Sequence, residues 1–288
     1  MRFKSPPREA VAPAIFSHPA FAFCAGRVAW LAGANWPQVA DLNAAGPRPA
    51  HLFGGAPIEF VAQTAELLSD GLHYEQRIFQ RGLVATRPAN WHDLLNALIW
   101  RERFALKCAV NAAYVREFAT PTPGPRSRAQ CALTHFDEGG AILVTRDVAL
   151  VEAWDRHDWA NVFWPASGRA EWAAELLLFG HALLEQYLLA GALPVAKCLV
   201  VYLPLGASAQ DVLPAVAHAI VQGALLADPS ELRPLPLAGI PGWHPQNAQV
   251  SFVREAPCFR PVRPGRDYPP PWVVASPRLA TLFSSGDL

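Results

Sequence analysis

The chain has 288 residues, 52% of them hydrophobic and 17% charged, which is enough to bury a sizeable core and too apolar for a disordered segment. Its 24 lysines and arginines balance 24 aspartates and glutamates, so no net field draws in nucleic acid or an anionic membrane surface. The five cysteines (Cys24, Cys108, Cys131, Cys198 and Cys258) form no C-x-x-C pair, which argues against a zinc ribbon or a disulfide framework and for the cytoplasm.

In chain order, residues 1–56 are rich in Pro, Gly and Ala and read as an irregular N-terminal wrap with no signal-peptide core. Pro57 and Gly71 bracket a helix predicted over 58–69. Residues 73–80 alternate, turn at Arg81-Gly82 and return over 83–86, which predicts a hairpin. Asn90 is a good N-cap, and helical spacing then runs over 91–118 up to the breaker at 120–125. A second hairpin is expected from 132–136 and 141–144 around the turn Asp137-Glu138-Gly139-Gly140. Helices are predicted over 148–159, 171–189 and 211–226, with a buried strand over 195–202 between Pro194 and Pro204. Glu171, Glu175, His181 and Glu185 make the most apolar stretch a packed helix, not a membrane span. Residues 229–288 are punctuated by proline and are expected to lie extended over the body. The fold class is therefore α+β: one domain over 1–288, its 57–228 core built of β-hairpins packed on several helices.

Phosphate-loop, dinucleotide, serine-elbow and H-E-x-x-H motifs are all absent. Along a continuous 91–118 helix, His92, Asn96, Trp100, Arg103, Lys107, Asn111, Tyr114 and Phe118 would form one stripe, with Asp93 at its edge. Such a mixture suits a polar cleft or a buried hydrogen-bonded network. Asp93, three residues after the cap, is explained equally well by the helix N-terminus. On a strand, His135 and Asp137 would share a face, and with His181 they could form a two-His, one-carboxylate iron site; ordinary turn chemistry explains the same residues. His181 and Glu185, four apart, could share a metal or could simply lie on the wet face of their helix with Glu171 and Glu175. Gly239–Asn247 could be a binding loop offering Trp243, His244 and Asn247, or a rigid turn.

The segments Tyr74-Glu75-x-x-Ile78, Thr86-Arg87, Asn90-Trp91-His92-Asp93-Leu94-x-Asn96-Ala97-x-x-Trp100, Leu133-Thr134-x-Phe136-Asp137-Glu138-x-Gly140, Gly180-His181-Ala182, Gly239-x-Pro241-Gly242-Trp243 and Phe259-Arg260-Pro261 occur in this order. Together they resemble domain-of-unknown-function family 3025, an uncharacterised bacterial family, over roughly residues 70–265. The resemblance implies a cytoplasmic bacterial protein and supplies no reaction. It implies that Arg87, Trp91, His92, Asp93, Asn96, Lys107, Asp137, Glu138 and His181 matter. It requires no histidine at His135, which weakens the iron reading. Relatives carry proline after the position of Phe104, where this chain has Ala105; a break there would split the stripe.

These readings converge on a hydrolase-like enzyme with a polar cleft for a small polar or anionic substrate. His92, Asp93, Asp137, Glu138 and His181 are the catalytic candidates, with His92 as acid or base and Asp93 or Asp137 orienting it. Arg87, Asn96, Lys107, Asn111 and Trp243 are the substrate-binding candidates. No cofactor, metal, nucleic acid or membrane is expected. The alternatives are a non-catalytic binder of a protein or peptide, or a purely structural polar network.

Overall fold

The computed structural model describes residues 5–46, 49–119, 126–164, 172–203 and 212–274. After a series of 3-10 turns come α1 (Val28–Ala32), α2 (Val39–Ala44), β1 (Glu59–Ala62), α3 (Ala65–Leu68), α4 (Tyr74–Arg81), β2 (Leu83–Thr86), α5 (Trp91–Glu102) and α6 (Phe104–Arg116). The second half contributes α7 (Arg128–Gly139), β3 (Gly140–Thr145), α8 (Val148–Asp155), α9 (Trp159–Phe163), β4 (Ala174–Leu178), α10 (His181–Gln186), β5 (Val195–Tyr202), α11 (Val212–Gln222), β6 (Arg233–Pro236), α12 (Val250–Glu255) and β7 (Trp272–Val273). The class is α+β.

The apolar runs of β3 and β5 make them the centre of a five-stranded mixed sheet. β3 is buried along its whole length and pairs in parallel with β5 and antiparallel with β4. The other edge of β5 takes β6 antiparallel along its first half and β7 in parallel at its last two residues. β1 and β2 form a separate parallel pair. One buried core cluster collects side chains from Val11 to Val274, including Phe16, Phe21 and Leu31 from the N-terminal wrap.

The strand over 195–202 is found as expected, but both predicted hairpins are replaced by helix-then-strand units. His73 caps α4, accepting at Nδ1 from the Glu75 backbone, and Gln76 Oε1 accepts from the His73 backbone N–H. Gly82 ends that helix in the left-handed region at φ 71°, where a Cβ would also fall 1.9 Å from the Pro57 carbonyl oxygen. In the second case Ser127 and Gln130 form a capping box, and Ala132, Leu133 and Phe136 bury one face of α7. Asp137 and Glu138 therefore stand in the last turn of a helix, not in a hairpin turn. His135, two positions from Asp137 and about 200° around the helix, is exposed, so the H-x-D iron set does not form.

Other boundaries shift too. The helix expected over 58–69 is β1 followed by the short α3. The helix expected over 148–159 is shorter, with α9 beginning at Trp159. The 171–189 helix is β4 followed by α10, with Glu171 outside the described residues; Glu175 pairs opposite Val144 on the sheet, and His181 and Glu185 are buried, not on a wet face. The 91–118 helix breaks at Arg103 (φ −130°, ψ 38°), the place that the family resemblance marks. The breaker at 120–125 lies outside the described residues, apart from the 3-10 turn ending at Ala119 before it.

The tail does lie over the body as far as Val274, though with β6, α12 and β7 in it. Arg233, buried, pairs in bidentate fashion with Asp155 and donates to the Pro269 carbonyl, while Trp154 and Trp159 donate their indole N–H groups to Pro234 and Arg260. No helix among the described residues is long and apolar enough to cross a membrane.

Candidate functional site

α5 starts at Asn90, whose side chain accepts from the Asp93 backbone N–H at 3.0 Å. Asn90→Ala should lower stability by about 1 kcal/mol, with most of it restored by Asn90→Asp; denaturant midpoints would check this, and an unchanged midpoint would refute it. The cap sets the direction of His92 on the first turn. Asp93, beside it, is committed elsewhere: its carboxylate accepts from Arg87 Nε (3.0 Å), Nη2 (2.7 Å) and backbone N (2.6 Å). It anchors the strand end and does not orient His92.

The residue that holds His92 is Glu185 of α10, whose Oε2 lies 3.1 Å from His92 Nδ1. Its other oxygen accepts from the Ser5 hydroxyl. One turn earlier on α10, His181 Nε2 lies 2.9 Å from His92 Nε2, with the two rings nearly perpendicular. His181 Nδ1 faces Asp137 Oδ2 at 3.7 Å, and Glu138 Oε2 is 3.7 Å from His181 Nε2. Asp137 is in turn paired with Lys107 Nζ at 2.6 Å, and the ammonium lies over the rings of Trp100 and Phe179.

Gly180 makes this convergence possible. Its backbone N–H and that of Phe179 both donate to the Gly140 carbonyl, at 2.8 and 3.1 Å. A Cβ at Gly180 would meet Gly140 N at 2.5 Å and the Glu138 carbonyl oxygen at 2.6 Å. The start of α10 thus presses directly onto the end of α7 and brings His181 beside Asp137 and Glu138.

An open cleft of ≈ 320 Å³ runs along these groups, within the range of small-molecule sites. His92, Asn96, Arg87, Asp93, Asp137, Glu138 and His181 line it, joined by Tyr74, Glu75, Arg126 and Thr134. Although the helix is broken, Lys107 and Asn111 still turn toward the site from α6. Asn111 donates to Glu75 Oε2 at 2.6 Å, and Asn96 donates to the Tyr74 hydroxyl at 3.0 Å. Trp243 is not brought in: it packs edge-on against His18, whose Nε2 lies 2.8 Å from the Trp243 carbonyl oxygen.

Glu75 and Tyr74 are site residues that were not among the candidates, and Glu185, considered only as a metal partner of His181 or a wet-face residue, holds His92 instead. Tyr74-Glu75 opens the first resembling segment, and Glu185 stands one helical turn from His181, so each had a signal. The assumed hairpin concealed the first, and the assumed wet face concealed the second.

Electrostatics separate the titrating groups. Burial holds the His181 imidazole down to about 3, so it is neutral. Burial also pulls on His92, but its hydrogen bond to Glu185 and the charge of Glu138 carry it above the ordinary histidine value. Burial raises Glu138 against the pull of His92. Burial would raise Asp137 as well, yet the Lys107 ammonium at 2.6 Å holds it below the usual carboxylate range. Burial and the Asp137 charge push Glu75 up to about 7. Two imidazoles with opposite tendencies, next to carboxylates of opposite tendency, are the arrangement that acid–base chemistry uses.

Residues 58–263 match the model of a family described as "Protein of unknown function (DUF3025)". Neither a curated protein nor a solved structure matches the chain.

Proposed function

This chain belongs to the DUF3025 family, and we propose that it is a hydrolase-like enzyme acting on a small polar or anionic substrate held in the cleft of His92. One observation carries the reading: His92, His181, Asp137 and Glu138 converge within 2.9 to 3.7 Å in a cleft that is open to solvent. A sealed structural network would not leave the His92 side chain 33% exposed or that of Glu138 46% exposed.

In this reading His92 is the group that faces the substrate. Glu185 fixes its tautomer and orientation from Nδ1, as a carboxylate partner does for a catalytic imidazole. A water oxygen forms a bond to the carbonyl or phosphoryl centre of the substrate, and its proton passes to His92 Nε2. That proton then leaves on the departing oxygen or nitrogen as the scissile bond breaks. Lys107 holds the charge of Asp137, and Asn96 and Asn111 set Tyr74 and Glu75 along the wall. Arg87, already paired with Asp93 but half exposed, and Arg126 at the mouth are the cations that would meet an anionic group. The five unpaired cysteines support a reducing compartment, and we place the protein in the cytoplasm.

The test is hydrolysis of chromogenic esters, phosphoesters and amides by the purified chain. His92→Ala should lower kcat by about 10²–10⁴-fold while circular dichroism stays unchanged. An inert wild-type chain, or a variant as fast as the wild type, sinks the reading.

A further inference from the structure

We propose that His92, His181 and Glu138 bind one divalent transition-metal ion of the zinc class at the inner end of the cleft. Each offers one ligand atom, and the three atoms lie within 4.8 Å of one another. Two imidazole nitrogens and one carboxylate oxygen, with a position left open toward the cleft, form the donor set of a catalytic centre. This set differs from the His135-based one considered from the sequence, and it departs from the expectation of no cofactor.

The outer contacts point the same way. Imidazoles that ligate a metal through Nε2 present Nδ1 to a carboxylate or carbonyl, which fixes the ring and raises its basicity. Here His92 does so, with Glu185 3.1 Å from its Nδ1, while His181 Nδ1 is buried 3.7 Å from Asp137 Oδ2 and makes no hydrogen bond among the described residues. The consequence is two Nε2 atoms aimed at each other 2.9 Å apart, with Glu138 Oε2 3.7 Å from one of them. Either one ring carries its proton on Nε2 and donates to the other, or both lone pairs face a cation between them. Zinc–nitrogen bonds of about 2.0–2.1 Å in a tetrahedron separate the nitrogens by about 3.3 Å, so the rings need open by only a few tenths of an ångström.

A buried imidazole is the second observation. His181 is only 3% exposed, yet its Nε2 is spent on the cleft side, against another imidazole and a carboxylate. Charge is the third. Asp137, Glu138 and Glu185 face a single ammonium, Lys107, around two imidazoles. Carboxylates thus outnumber the ammonium around the two rings, an environment that suits a cation.

The inference rests on the hydrolytic reading only for the ion's chemical role. There it would polarise a carbonyl or phosphoryl oxygen and carry the attacking water in place of direct proton transfer to His92. A proton shared by the two nitrogens is the rival occupant.

The full chain, stripped with chelator and dialysed, would be titrated with Zn²⁺ by calorimetry and with Co²⁺ by visible absorption. The expected result is one Zn²⁺ per chain and the intense ligand-field band of a low-coordinate Co²⁺ site. His92→Ala and Glu138→Gln, both at partly exposed positions, should weaken Zn²⁺ by more than tenfold and abolish the Co²⁺ band. Glu185→Gln, which leaves the ligands in place, should weaken Zn²⁺ by about 10–100-fold. His135→Ala, on the outer face of α7, should bind as the wild type does. Absence of stoichiometric binding, or equal affinity in His92→Ala and Glu138→Gln, overturns the site. Metal bound at these residues without turnover supports the site and refutes the hydrolase. Turnover unchanged by complete chelation supports the hydrolase and refutes the site.

Discussion

Replacing Lys107 by methionine will lower the stability of the fold by about 3–5 kcal/mol. Methionine approximates the volume of the lysine stem, so packing against Trp100 and Phe179 is largely kept and the charge is what is lost. Asp137, whose 2.6 Å partner disappears, is then a largely buried carboxylate at the cleft wall without its ammonium, with His181 Nδ1 3.7 Å away. The cost is the uncompensated charge, not the net worth of the ion pair. Adding Asp137→Asn should therefore recover most of the loss, which makes the pair strongly non-additive. Urea unfolding of the two single variants and the double variant measures this. A loss below 1 kcal/mol in Lys107→Met, or simple additivity, would mean that water reaches Asp137 and that the pair is not the support of the site described above.

Glu75→Gln is expected to stabilise the protein, and by an amount that grows with pH. The carboxyl is raised to about 7 in the folded state by burial and by the Asp137 charge, against an ordinary value of 4.5. Between those values the folded chain binds a proton that the unfolded chain releases, so stability falls as pH rises from about 4.5 to about 7 and is level above. Glutamine removes that penalty and keeps an amide oxygen to accept from Asn111 Nδ2. The gain should be about 3 kcal/mol at pH 8 and about 1 kcal/mol at pH 5, from the free-energy equivalent of a pKa shift. Thermal or urea unfolding across that range gives the answer. A constant difference between the variant and the wild type at all pH values would show that Glu75 titrates normally. Below about pH 7 a protonated Glu75 also gives this wall of the cleft a hydroxyl donor, which bears on the substrates worth screening.

How well local sequence rules served depended on what they had to decide. The Asn90 cap, the 195–202 strand and the overlay of the tail follow from capping chemistry, a continuous apolar run between prolines and proline punctuation, all of which act over a few residues. Both hairpins failed at alternating or glycine-terminated stretches where a helix also satisfies the pattern. The decisive marks there, the box formed by Ser127 and Gln130 and the glycine after Arg81, were present in the chain and were outweighed by turn statistics. The 171–189 helix failed for a different reason. Its apolar residues serve a sheet edge at β4, and periodicity does not distinguish a short buried strand from a buried helix.

The site followed the same division. His92, Asp137, Glu138 and His181 could be nominated from the chain because imidazole beside carboxylate is chemistry with a known use. Their partners could not. Glu185, not Asp93 or Asp137, holds His92; Asp93 is taken by Arg87; Trp243 packs against His18 away from the cleft.

The α+β class, the lack of nucleotide-loop motifs and a short set of polar residues worth watching were legible along the chain, because composition, caps and motifs are local properties. That His92 and His181, 89 positions apart, stand nitrogen to nitrogen at 2.9 Å is a product of the assembled fold. That depends on Gly180 having no side chain to hold α10 off α7 and on a sheet that brings β3 and β4 together, contacts between distant segments that no residue carries alone.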